Sequence, residues 1–469
     1  MPWSKVGNMT PPVASTVEPY VRPADWLTLP TVNAGDNKLV GLFAVWPHDS
    51  NHVALTATGA FTVDWGDGQT QNIASGVQAN HTYTYASLSA ATDCSRGYRQ
   101  VIITVTPQAG QTLTTVDLAK KHSVGGAAVP GTGWLDICMA GQSITNFNIC
   151  ADRGSTAYII APLLEQFEFK GTSAIGNVAY QFLNLSGLQI IKGNQWSAAA
   201  TSASGMFIGC EGLRIIAGLT LNVANAAAML GTVRNLQQVS NFSLPQATDA
   251  SSLFSSCAKL EEVLGLNLPK AVTVASLFYG CSSLQKVSGV VTSVCQDFSN
   301  MFSNCSALRS VGALTTDAGT NFSSMFASCS TLREVPAFNT SLGTNFASMF
   351  NTCSALQSVP LFDLSKATNC SSMFTYCYAL QAAPAFNLGA STSNASMFND
   401  CRSLSSVAIT NIKASIGFSN CRLSSAALNA IYTSLLSATS QTITVTGNYG
   451  TASDTPSIAT GKSWTVTGS

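Results

Sequence analysis

The residues with the most evident chemistry are cysteines. Cys257, Cys281, Cys305, Cys329, Cys353, Cys377 and Cys401 follow one another at steps of 24 residues, without an insertion. Cys210 and Cys421 extend the line, so nine of the fourteen cysteines stand on it. Regularly spaced thiols raise two chemistries, metal binding and disulfide formation. A structural metal needs about four ligands converging at ~2.3 Å, and thiols in a line at ~4.8 Å steps do not converge. Distance alone leaves bridges between neighbouring repeats open, but parallel side-chain vectors disfavour them. Val233 and Leu185 occupy the same slot, which points to a demand for apolar volume. The expectation is buried, unpaired thiols acting as small core side chains. Cys370 lies seven before Cys377, where other repeats carry Phe298, Phe322 and Phe346, and is expected to pack inward too.

Carboxylates and histidines offer less. Asp64 and Asp67 flank a Trp-Gly pair, but two carboxylates fall short of the six to eight oxygens that calcium takes, so turn capping is the expectation. A glycosidase needs two carboxylates ~5–9.5 Å apart across a cleft. Glu165 with Glu168, or Glu261 with Glu262, are the candidates, and adjacent residues of a strand point to opposite faces. His48, His52, His81 and His122 are tied by no motif to a nucleophile or a metal cluster. No catalytic residue, metal or cofactor is expected.

The elements that position these residues come from the repeat itself. Met301, Met325, Met349, Met373 and Met397 stand four before each cysteine, with Leu253 and Leu277 in the earlier copies. Phe254, Phe278, Phe302, Phe326, Phe350, Phe374 and Phe398 stand three before, and Leu260, Leu284, Leu308, Leu332, Leu356, Leu380 and Leu404 three after. Looser copies bring the count to eleven coils, centred from Leu185 to Cys421. Leu332, Val335 and Phe338 give a leucine-rich pattern in a 24-residue unit. Segments such as LREVPAF are read as short strands that stack in parallel at ~4.8 Å, giving a rod of roughly 50 Å. No coil buries its Phe alone, so neighbour contacts carry the array.

The unit resembles the BspA-type leucine-rich repeats of bacterial surface proteins, which also occur in Mycoplasma, protist and phage proteins. The resemblance covers roughly residues 180–422 and rests on the recurring Ser-x-Met-Phe-x-x-Cys-x-x-Leu. It implies adhesion and binding of protein or glycan.

Residues 1–35, rich in Pro, read as an extended arm, either a disordered leader or a segment docking on a partner. Short apolar segments over 36–107 read as a small β-sandwich. Within it, Asp64-Trp65-Gly66-Asp67-Gly68 and His81-Thr82-Tyr83 resemble the hallmark of polycystic-kidney-disease (PKD) type domains, which implies a spacer or contact module. Residues 108–179 are read as a junction and N-terminal cap, 180–422 as the solenoid, and 423–469 as a cap of one helix, beginning near Ser424 or Ser425, and two short strands. The fold class expected is mainly β: a leucine-rich-repeat solenoid of 24-residue coils preceded by a small β-sandwich.

Charged residues make up only 9% of the chain, against the roughly 25% of ordinary soluble domains. Acids and bases balance at 22 each, so no excess charge draws nucleic acid or anionic membrane. No apolar run reaches the ~18 residues of a membrane span, and the first residues lack the apolar region of a secretory signal. The ending (Asn448, Gly450, Ala459, Thr460, Lys462, Trp464, Val466) resembles those of phage-encoded repeat proteins. Together these suggest a phage virion protein of tail or capsid, assembled in the host cytoplasm and present in several copies. Its N-terminal region would bind other virion proteins and its solenoid a host surface glycan or protein. The alternative is a cellular surface adhesin or interaction module. The binding face expected is the row after each repeat Leu: Arg214, Glu261, Gln285, Lys286, Arg309, Arg333, Glu334, Gln357 and Gln381.

Overall fold

A computed structural model describes residues 20–48, 51–124, 127–149, 161–170, 176, 178–192 and 200–469. Expectations for residues 1–19, and for parts of the junction over 108–179, lie outside the described residues.

Seven strands form the larger sheet, in the order Ile190–Lys192, Gln166–Phe169, Trp134–Ala140, Lys38–Val45, Arg99–Pro107, Phe61–Asp64 and Thr70–Ile73. A second sheet orders Asn146–Asn148, Thr115–Asp117, His52–Thr58 and Ala79–Thr82. The larger sheet does not end at residue 107. Trp134–Ala140 pairs antiparallel with Lys38–Val45 on one edge and parallel with Gln166–Phe169 on the other, in the register Asp136↔Gln166 and Ile137↔Phe167. Gln166–Phe169 in turn pairs parallel with Ile190–Lys192. One strand is thus the seam at which a sandwich becomes a stack of coils, and one apolar core runs through both.

The segment following residue 19 is not free, and it docks on its own chain. Strand Lys38–Val45 is buried on both faces: Leu39, Phe43 and Val45 join the main core, while Leu42 and Ala44 pack with Trp26, and Val40 with Val32. A sheet apolar on both sides needs a second cover, and residues 20–37 supply it. Trp26 Nε1 donates to Tyr98 Oη at 2.9 Å, and Arg22 Nε to Asp136 Oδ2 at 2.8 Å.

In the coils, Phe rings 24 residues apart stack with centroids 5.2–5.5 Å apart from Phe254 to Phe398. The Met-Phe stretch is a run of turns, held between two residues of left-handed backbone. Ser324 (φ 53°) and Ser328 (φ 62°) bracket Met325-Phe326-Ala327, and Ser348 with Thr352 repeat the pattern one coil on. Small or amide side chains recur there because L-residues with larger side chains are disfavoured in that region. The same turns supply the most regular backbone ladder: Phe302 N donates to Met325 O at 2.8 Å, Phe326 N to Met349 O at 2.9 Å and Phe350 N to Met373 O at 2.9 Å.

The strand expected at LREVPAF does not form. Regular strands run at Gln238–Ser243, Glu262–Asn267 and Lys286–Val291, shrink to Ser310–Val311, and return only as Ala382–Ala383 paired with Ser406–Val407. At the ladder position of Leu264 and Ser288 the two intervening coils carry Pro336 and Pro360, and Pro384 ends the short strand of the next. Proline has no N–H to donate. Helix Ser425–Ser434, whose N-cap Ser424 accepts from Ala427 N, and the strands Gln441–Thr444 and Trp464–Thr467 close the last coil.

Candidate interaction surface

The row after each repeat Leu is assembled by the backbone. Gln237 N donates to Arg214 O at 2.8 Å, Glu261 N to Gln237 O at 2.9 Å, Gln285 N to Glu261 O at 2.9 Å and Arg309 N to Gln285 O at 3.1 Å. Farther along, Gln357 N donates to Arg333 O at 2.9 Å and Gln381 N to Gln357 O at 3.3 Å. Arg214, Glu261, Gln285 and Arg309 therefore share one column, and Arg333, Gln357 and Gln381 continue it at the same 24-residue spacing. Lys286 and Glu334 stand in the next, beside Glu262, with Lys286 Nζ 3.1 Å from Glu262 Oε1. All are exposed except the half-buried Glu261 and Glu262.

Strict alternation is broken on this face. Val263 and Leu266 are both buried although three residues apart, and the kink falls at Gly265 (φ 73°), repeated at Asn241 and Gly289. An extra residue in a strand bends it and re-aims the side chains. Arg214 has a second setting, since it lies at the rim of a cavity of about 520 Å³ with Tyr20, Arg96, Glu165, Gln189 and Ile190.

The other candidates are placed in structural contacts. Glu165 is bound by the Arg96 guanidinium, and Glu168 lies 3.7 Å from Lys170 Nζ. Asp64 and Asp67 cap the turn, their Oδ1 atoms accepting from Gly66 N and Gln69 N. His81, which no sequence motif had tied to a partner, donates Nε2–H to Asp67 Oδ2 at 2.8 Å and stacks on Trp65 at 4.8 Å, while Tyr83 Oη donates to Trp65 O at 2.8 Å. Histidine and tyrosine thereby pin the turn to the core. Among the described residues no group of three or more His, Cys, Asp or Glu is placed to hold a metal ion.

The ladder cysteines from Cys257 to Cys421 are buried and form no disulfide. The thiols do more than fill volume, however. Cys281, Cys305, Cys329, Cys377 and Cys401 each donate Sγ–H to the carbonyl of the Phe one coil back, at 3.1 Å. Sequence reasoning missed this bond. The signal was the retention of Cys where Val or Leu would supply the same apolar volume. Burial pushes the thiols up, to about 12 for Cys305 and Cys353.

A family described as "Mycoplasma protein of unknown function, DUF285" matches residues 201–311 and 296–411. A search of curated proteins finds no match. Solved structures that resemble the chain include a leucine-rich cell surface protein of Faecalibacterium prausnitzii, at 15% identity and a TM-score of 0.28, covering 64% of this chain and 90% of that one. A leucine-rich repeat protein of Bacteroides ovatus gives 14% and 0.29, covering 72% and 91%. One from Leptospira interrogans gives 11% and 0.24, covering 66% and 79%.

Proposed function

We propose that this protein is a surface-presented binding protein, an adhesin or interaction module that reads a protein or glycan with the strand face of its solenoid. The observation that carries the reading is the column from Arg214 to Gln381, ordered by backbone bonds from Arg214 to Arg309 and from Arg333 to Gln381, with Lys286 and Glu334 beside it. Exposed cationic and amide side chains at ~4.8 Å steps form a ruler, and a rigid ruler recognises an extended ligand without the ordering cost of a loop. Substituting Arg309 and Arg333 together by Ala tests it. Binding of the chain to intact cells or to their isolated envelope should fall about tenfold or more, with thermal stability unchanged. Undiminished binding of the double variant sinks the strand-face reading.

A second reading is a virion appendage attaching to a host surface, with several copies per particle held by the N-terminal region. The nearly uncharged Ser- and Thr-rich surface and the phage-like ending favour it. Mass spectrometry of purified particles separates the two, because a cellular adhesin is absent from them.

A further inference from the structure

After Glu211 and Arg234 in two earlier coils, the corners on either side of the cysteine are chemically monotonous from Cys257 to Cys353. One residue before Cys stand Ser256, Gly280, Asn304, Ser328 and Thr352, and one after stand Ala258, Ser282, Ser306, Ser330 and Ser354. Those serines bond backward along the rod, as Ser306 Oγ to Ser282 O (3.4 Å) and Ser330 Oγ to Ser306 O (3.3 Å). The pattern then changes. The row before Cys becomes Tyr376, Asp400 and Asn420, and the row after becomes Tyr378, Arg402 and Arg422.

The new side chains form one patch. Tyr376 and Tyr378 are 42% and 38% exposed, with ring centroids 6.1 Å apart. Arg402 lies over Tyr378 at 4.8 Å and reaches Asp400 Oδ1 at 3.5 Å. Asn420 Nδ2 donates to the same Oδ1 at 3.2 Å, and Arg422 lies over Tyr449, which is 71% exposed, at 5.6 Å. Tyr376 also sits at φ 63°, a slot that its counterparts fill with Ser, Thr, Gly, Asn or Asp. A bulky side chain there is strained, and such strain persists where the surroundings impose it and the position has a use.

We infer that this patch is a second binding site, for an acidic glycan, distinct from the strand face and independent of whether that face binds. Tyrosine faces carry the negative side of the ring quadrupole and attract the C–H edges of a sugar ring. The guanidinium of Arg422, with no carboxylate among its contacts, suits a sugar carboxylate. Two Arg against one Asp leave the patch cationic in a chain whose surface is otherwise nearly neutral. Three coils span roughly 10 Å, the scale of a short oligosaccharide.

The test is titration of the full chain with tetragalacturonate and, separately, with the uncharged tetragalactose, read by calorimetry and by saturation-transfer NMR. The acidic oligomer should bind and the neutral one should bind at least tenfold more weakly. Tyr378→Ala and Arg422→Ala should each weaken the acidic ligand about tenfold or more, while Arg309→Ala with Arg333→Ala should leave it untouched. Tyr376→Asn separates a recognition role from a structural one, because asparagine fits the left-handed backbone of Asn304 and Asn420: Tm should rise while affinity falls. No saturation transfer at millimolar tetragalacturonate, equal binding of the two oligomers, or full affinity in Arg422→Ala overturns the proposal.

Discussion

Cys329 Sγ donates to the carbonyl of Phe302 at 3.1 Å, and the same oxygen accepts Cys305 N at 3.0 Å. The thiol thus joins the turn of one coil to the turn of the coil before it, inside a core with no water to substitute. A neutral bond of this type contributes about 1 kcal/mol at most, whereas the filled volume is worth more. Cys329→Val should therefore cost under ~1 kcal/mol and Cys329→Ala roughly 1–2 kcal/mol. Urea denaturation compares them, and an equal loss in both would assign the whole effect to the hydrogen bond.

The same burial fixes a pH dependence. An unfolded thiol ionises near ~8.5, and Cys305 and Cys353 are held at about 12. Groups raised on folding contribute stability that is complete below the unfolded value and lost as pH rises toward the folded one. Each buried thiol then removes up to ~1.4 kcal/mol per pH unit. Stability should be flat from pH 6 to 8 and fall steeply above pH 9. Iodoacetamide should label none of the ladder thiols at pH 8 until denaturant is added. Rapid labelling of the native chain contradicts the picture.

Phe326 is stacked between Phe302, at 5.2 Å, and Phe350, at 5.5 Å. Phe326→Ala should cost ~3–5 kcal/mol, more than any change on the strand face. Because coils couple only to neighbours, the loss should also split the array. Hydrogen exchange should accelerate in the coils around residue 326 before those around Phe254. Uniform acceleration along the rod would show that cooperativity reaches farther than nearest neighbours.

Legibility differed with the physics of each element. The coils were readable because burial of Phe326, Cys329 and Leu332 enforces an unvarying period, and the capping helix because Ser424 precedes an apolar spacing of 3–4. The loss of strands at Pro336 and Pro360 was also written in the residues, since a missing N–H cannot join a ladder, but the Leu-x-x-Val pattern overshadowed it. The strand at Trp134–Ala140 was readable from its apolar run, but its pairing at the seam was not. Its two neighbours come from distant parts of the chain, and an all-apolar strand does not say whether they run parallel or antiparallel. Nor was the patch around Tyr378, because a departure from the consensus means little until the coils are stacked.

The docked segment after residue 19 gives the last prediction. Asp136 is 1% exposed, its Oδ2 taking Arg22 Nε at 2.8 Å and its Oδ1 Gln166 Nε2 at 3.1 Å. Burial raises its carboxyl above the usual aspartate value despite Arg22. Arg22→Ala leaves that charge with an amide as its only hydrogen-bonding side chain. Breaking a fully buried pair costs ~3–5 kcal/mol, and since the Arg22 side chain is 27% exposed, about 1–3 kcal/mol is expected at pH 7. The sign with pH follows from the raised carboxyl. Its protonated form is the one that folding favours, so the lost partner matters less as acid neutralises Asp136 in the folded chain. Arg22→Ala should be clearly destabilising in urea at pH 7 and distinctly less so at pH 4, where the lost bonds from Arg22 to the carbonyls of Trp26 (3.2 Å) and Leu27 (2.7 Å) still count. An equal deficit at both values would mean that Arg22 acts through its bonds to the Trp26 and Leu27 carbonyls and its packing over Trp26, 5.3 Å from the ring centroid, and that the buried carboxylate does not depend on it.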